Sequence, residues 1–113
     1  MYVNKSVATE RFDRAVSFYG MIEVPEEWKS DTQREPLDCI AEGDPSKLLA
    51  IIAEDDDYTP AREVAKLREA GVQVTSYSNC DHGFVHDPNR ESHRPTEASE
   101  AWKISIAFLK GEQ

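Results

Sequence analysis

Leu48-Leu49-Ala50-Ile51-Ile52-Ala53 is apolar at every position. The run is too short for an ordinary helix and suits a strand covered on both faces, as in a parallel sheet. It is the predicted central strand. Two more apolar segments, Ala15 to Tyr19 and Val72 to Tyr77, each stop at a polar or glycine-bearing loop and read as its neighbours. Between the second and third strands a helix has legible ends. Thr59 is a candidate cap, Pro60 suits the first helical position and Gly71 can close the far end. Its apolar stripe is Ala61, Val64 and Leu67. Strand, helix, strand in this order is a βαβ unit, so the crossover is expected to be right-handed and the strands parallel.

The last segment, Pro95 to Leu109, places Ala98, Ala101, Trp102, Ser105, Phe108 and Leu109 at helical spacing. Glu97 and Glu100 lie near its positive N-terminal end. This helix is expected to cover one sheet face, with Trp102, Phe108 and Leu109 in the core. Residues 21–47 form a long polar connection with Pro25, Pro36, Pro45, Trp28 and one short helix around Leu37 to Ala41. Connections of this length belong to a binding region or drape over a neighbour. Trp28 reads as an anchor of that loop against the sheet in preference to a cleft wall. Part of the first dozen residues reads as helix. The expected fold is three-layer α/β: a short parallel sheet of about three strands flanked by helices, in one domain over 1–113.

A chain of 113 residues matches one domain. Asp and Glu outnumber Lys and Arg by 22 to 13, for a formal charge of −9. Such a surface repels phosphate backbones and anionic lipid, which argues against nucleic-acid and membrane partners. No apolar run approaches the roughly 20 residues of a membrane span, and the opening MYVNKSVATERF lacks a secretory core. A cytoplasmic address is the expectation. Cys39 and Cys80 form no CxxC pair and read as buried free thiols in a reducing compartment; a disulfide between them stays open.

Loops leaving the same ends of neighbouring parallel strands are close in space, because such strands lie about 4.8 Å apart. Ligand and catalytic groups of open α/β sheets gather at the carboxyl ends. The loop after the central strand carries Asp55, Asp56 and Asp57; the loop after the next carries His82. A carboxylate so placed can hold an imidazole in one tautomer and stabilise its charged form during general-base work. A metal site is the weaker alternative: His82, His86, Asp87 and His93 cluster in sequence without the short fixed spacings of structural zinc. No metal or other cofactor is expected.

The stretches DRAVSFYG, LLAIIAEDDDYTP and HGFVHDP, with the Trp-bearing last helix, resemble the C-terminal half of the dienelactone hydrolase family of the α/β-hydrolase superfamily. The likeness runs from about Phe12 to Leu109. It implies that Asp56, four residues before Pro60, is the acid of a hydrolase triad, and that His82, in an H-G-F turn, is its base. Asp55 and Asp57 remain solvated loop residues. The family's nucleophile sits in a G-x-C-x-G or G-x-S-x-G elbow. No Ser or Cys here is flanked that way, and the five glycines are at 20, 43, 71, 83 and 111. Cys80 stands where the family usually has a small residue, and reads as a packed thiol. Asp81 stands where glycine is common, adding charge that can raise the His82 pKa or compete with Asp56 for the ring.

The resemblance therefore implies a truncated family member that lacks the N-terminal strands, the elbow and the oxyanion hole. The expected protein is inactive alone and acts, if at all, as a binding or interaction module. The alternative is an ester or lactone hydrolase completed by a partner chain that supplies the nucleophile. In either case Ala15 to Tyr19 becomes a bare apolar edge, which recruits a second copy, giving a homodimer, or a partner polypeptide.

Overall fold

The computed structural model describes residues 1–112. In chain order the elements are α1 (Tyr2–Ser6), a 3-10 turn (Val7–Thr9), β1 (Ala15–Phe18), a 3-10 turn (Glu26–Trp28) and α2 (Pro36–Glu42). A 3-10 turn (Pro45–Lys47), β2 (Leu48–Ala53), α3 (Ala61–Glu69), β3 (Gln73–Tyr77) and α4 (Pro95–Leu109) follow. The three strands form one parallel sheet in the order β1-β2-β3.

All six β2 residues are buried, because the strand has a layer on each face. Its period of two divides the core. Leu49, Ile51 and Ala53 pack with Phe84 and with Ala98, Ala101 and Phe108 of α4. Leu48, Ala50 and Ile52 pack with Val64 and Leu67 of α3 and Ile40 of α2. The result is three layers: α4, the sheet, then α2 and α3, with α1 packed on α2. Each fully buried Leu or Ile contributes roughly 1.5–3 kcal/mol, so β2 is the main source of cohesion. The α1–α2 contact needs Gly43, because a β-carbon there would sit 2.1 Å from the Val7 carbonyl oxygen.

Several expectations need correction. The first strand ends at Phe18, and Tyr19 leaves it with a left-handed φ of 46°. Thr59 does not cap α3: Pro60 occupies the cap position, and the buried Thr59 hydroxyl has no hydrogen-bond partner among the described residues. Val64 and Leu67 face inward, but Ala61 is exposed and Glu63 takes its place on the buried side. The last helix has the expected bounds, with Ala98, Ala101, Ser105 and Phe108 buried. Trp102 and Leu109, however, are 44% and 51% exposed and not core. With the exposed Ile106 they form one apolar stripe, since positions four and three apart share a helix face. Among the described residues the outer edge of β1 has no strand partner, and no helix is long and apolar enough to cross a membrane.

Candidate active site

Parallel pairing of β2 and β3 ends at Ala53 and Tyr77, and main-chain bonds then lace the two following loops together. The Glu54 N–H donates to the Tyr77 carbonyl at 3.0 Å and the Asp55 N–H to the Cys80 carbonyl at 2.9 Å. Asp56 is thereby carried next to His82. Its carboxylate is only 2% exposed as a residue yet has both oxygens engaged. Oδ1 accepts the Tyr58 N–H at 2.8 Å, and Oδ2 lies 2.7 Å from His82 Nδ1. A buried carboxylate is tolerated only when so bonded. With Nδ1–H donating to Asp56, Nε2 of the neutral ring is the nitrogen free to accept a proton.

His82 sits in a loop that the sequence shapes closely. Asn79 and Gly83 have positive φ values of 56° and 79°, conformations that Asn and Gly adopt most readily. A β-carbon at Gly83 would lie 2.7 Å from the Arg90 guanidinium carbon. Phe84, fully buried, anchors the loop against Tyr77 with ring centroids 5.5 Å apart. Asp81 accepts the His82 main-chain N–H through Oδ1 at 2.6 Å, so it supports the backbone while Asp56 holds the ring.

Two tyrosines border the imidazole, at centroid distances of 5.1 Å for Tyr19 and 5.2 Å for Tyr58. The Tyr19 hydroxyl is hydrogen-bonded with His86 Nδ1 at 2.5 Å and accepts the Val85 N–H at 3.4 Å. Burial pushes its pKa above the ordinary phenol value and keeps it neutral. A cleft of about 670 Å³ opens over His82, with Met21, Trp28, Asp57, Tyr58 and Arg90 in its wall. Trp28 is thus a wall of the cleft, 51% exposed, and not an anchor against the sheet. Asp57 lies exposed at the mouth, and Asp55 is exposed beside it.

Cys80 is fully buried in the α4-side core, and burial pushes its thiol pKa up. Less thiolate at neutral pH makes it a poor nucleophile. Cys39 is also a buried free thiol. The suggested metal cluster does not assemble: among the described residues no three His, Cys, Asp or Glu side chains converge on a metal position, and His86 is taken by Tyr19. Spacing and motif gave no role to Tyr19 or Tyr58 and no sign of Met21 or Arg90. The Tyr-Gly step that ends the first strand was the one available clue, because a Cβ on Gly20 would meet Ser17 Oγ at 2.2 Å and a tight exit is needed there.

The parallel sheet between helical layers has the architecture of the α/β-hydrolase fold. The dienelactone hydrolase family model matches residues 1–112, and the chain belongs to that family. "Protein usf" of Aquifex pyrophilus is 28% identical over an alignment covering 87% of this chain and 40% of that protein. The "Putative carboxymethylenebutenolidase" of Aquifex aeolicus is 24% identical, covering 89% of this chain and 41% of its own length. A crystal structure titled as a dienelactone hydrolase of the putative kind, from Klebsiella pneumoniae, superposes with a TM-score of 0.81 at 22% identity, over 96% of this chain and 46% of that one. The chain spans less than half the length of these relatives.

Proposed function

We propose that the chain is the acid–base half of an ester- or lactone-hydrolysing site, silent by itself and completed by a nucleophile from outside these 113 residues. The observation that carries this is the 2.7 Å contact between Asp56 Oδ2 and His82 Nδ1 beneath an open cleft. In the completed site His82 takes the proton of an attacking hydroxyl or thiol through Nε2 and returns it to the leaving alcohol, then takes a proton from the water that cleaves the acyl group off and returns it to the freed nucleophile. Asp56 fixes the tautomer and stabilises the imidazolium between those steps. The nucleophile's backbone supplies the oxyanion donors. This chemistry calls on no metal or other cofactor, and the buried free thiols suit a cytoplasmic setting.

The completing polypeptide docks along β1. Among the described residues that edge is unpaired, and beside it Trp102 packs on Phe18 at 5.2 Å within the exposed stripe of α4. Its occupant is the portion of the family fold that the relatives contain beyond this chain, whether joined to it or separate. A second copy is disfavoured by mutual repulsion of two bodies each carrying −9. The second reading, an interaction module without hydrolysis, rests on the same stripe and edge.

Ester hydrolysis measured on the purified chain, with and without a polypeptide carrying the remaining family portion, separates the two. Turnover in the mixture, lost by about a hundredfold or more in His82→Ala, is expected. Binding without turnover selects the interaction module. Turnover by the isolated chain refutes both.

A further inference from the structure

Resting on the reading of His82 as base, we infer that Tyr19 and Tyr58 are positioning residues that hold the His82 ring on Asp56, a role set by aromatic packing on the imidazole. One hydrogen bond leaves an imidazole free to rock and to exchange tautomers, and the His82 side chain is 36% exposed. Its neighbours restrict it. Tyr19 approaches at 5.1 Å with a 55° tilt and Tyr58 at 5.2 Å with a 62° tilt, within the range of favourable ring pairs.

Neither tyrosine arrives there by chance of the chain path. Tyr58 is tied to the acid, since its N–H donates to Asp56 Oδ1; ring and carboxylate therefore move together. Tyr19 is held in a left-handed conformation, φ 46°, that a bulky residue rarely adopts. Such strain persists only where the surroundings over-determine it. Here they do. The Tyr19 N–H donates to the Ile51 carbonyl at 2.8 Å, its hydroxyl bridges His86 and the Val85 N–H, and its ring also packs on Phe84 at 5.7 Å. The residue that follows β1 thus contributes a ring to a site whose acid and base come from the loops after β2 and β3.

The test is the tautomer of the neutral His82 ring, read from long-range nitrogen–proton correlations in the labelled 113-residue chain, with the ring assigned by His82→Gln. The wild-type ring is expected in the Nδ1–H form that Asp56 requires. Tyr58→Leu, on an exposed loop, and Tyr19→Asn, which tolerates the left-handed backbone, should each raise the Nε2–H share by about threefold or more, toward the behaviour of an unrestrained ring. Tyr58→Phe, which keeps the ring, should retain the wild-type pattern. An unchanged tautomer in both ring-deleting variants, with the amide spectrum still folded, overturns the positioning role while leaving His82 as a base. A wild-type ring already in the Nε2–H form also overturns it. Because no nucleophile is needed, failure of hydrolysis in the mixture leaves the result readable.

Discussion

The Asp55 N–H donates to the Cys80 carbonyl at 2.9 Å, and this main-chain bond brings the loop of Asp56 to the loop of His82. Asp56 and His82 then need only short reaches to meet. The geometry of the pair is therefore inherited from the sheet, whose register ends at the Ala53–Tyr77 pair just before it.

Removing the acid tests the couple directly. Asp56→Ala leaves the Tyr58 N–H and the His82 ring without partners, which should cost about 1–3 kcal/mol, read as a lower urea midpoint. Asp56→Asn keeps an acceptor for the Tyr58 N–H but cannot hold the imidazolium. Its stability should fall less, while hydrolysis by the completed enzyme falls by about a hundredfold or more.

Gly43 is a steric requirement of the α1–α2 contact. In Gly43→Ala the new methyl would meet the Val7 carbonyl at 2.1 Å, so the N-terminal helix must shift. A loss of about 1–3 kcal/mol is expected, with amide exchange rising first in residues 2–9. The Asp56–His82 pair should be unaffected.

The stripe on α4 predicts a split between folding and association. Ile106 is 48% exposed, so Ile106→Glu should leave the urea midpoint within about 0.5 kcal/mol of the wild type. Binding of the completing polypeptide, followed by calorimetry, should weaken by about tenfold or more, because a charge is then buried in the docked face. Full-strength binding by this variant would remove the stripe from the interface.

Alkaline pH should destabilise the protein through Tyr77. Burial pushes its pKa up to about 12, and its buried hydroxyl has no hydrogen-bond partner among the described residues. The unfolded chain releases this proton near pH 10 and the folded one only near 12. Between those values the unfolded state binds fewer protons, so stability falls as pH rises. Tyr77→Phe should flatten this part of the pH–stability curve, measured as urea midpoints at pH 8 and pH 11, without loss at pH 8.

Much of the frame was legible because single features decided it. An all-apolar β2 could only be covered on both faces, and the bounds of α4 followed from Pro95 and its spacing. Asp56 and His82 were found through strand order together with family resemblance, and the structure brings them into contact. The misreadings have a common cause. Helical spacing placed Trp102 and Leu109 near the apolar face, yet whether a boundary residue is covered depends on what lies across from it. Thr59 resembled a cap by type, but the Asx turn of Asp56 bonds the Tyr58 N–H and the chain enters α3 through Pro60. Trp28 and Arg90 reach the cleft through tertiary folding of loops, for which sequence periodicity carries no signal.

The close lacing of the two carboxyl-end loops has a practical corollary for protein engineering. An aspartate–histidine pair held together by its own backbone is a transplantable cartridge: a designed scaffold that presents one parallel strand to the rim of β1, with a serine on a sharp turn at its tip, receives that pair already placed and must supply a reactive oxygen and its cradle.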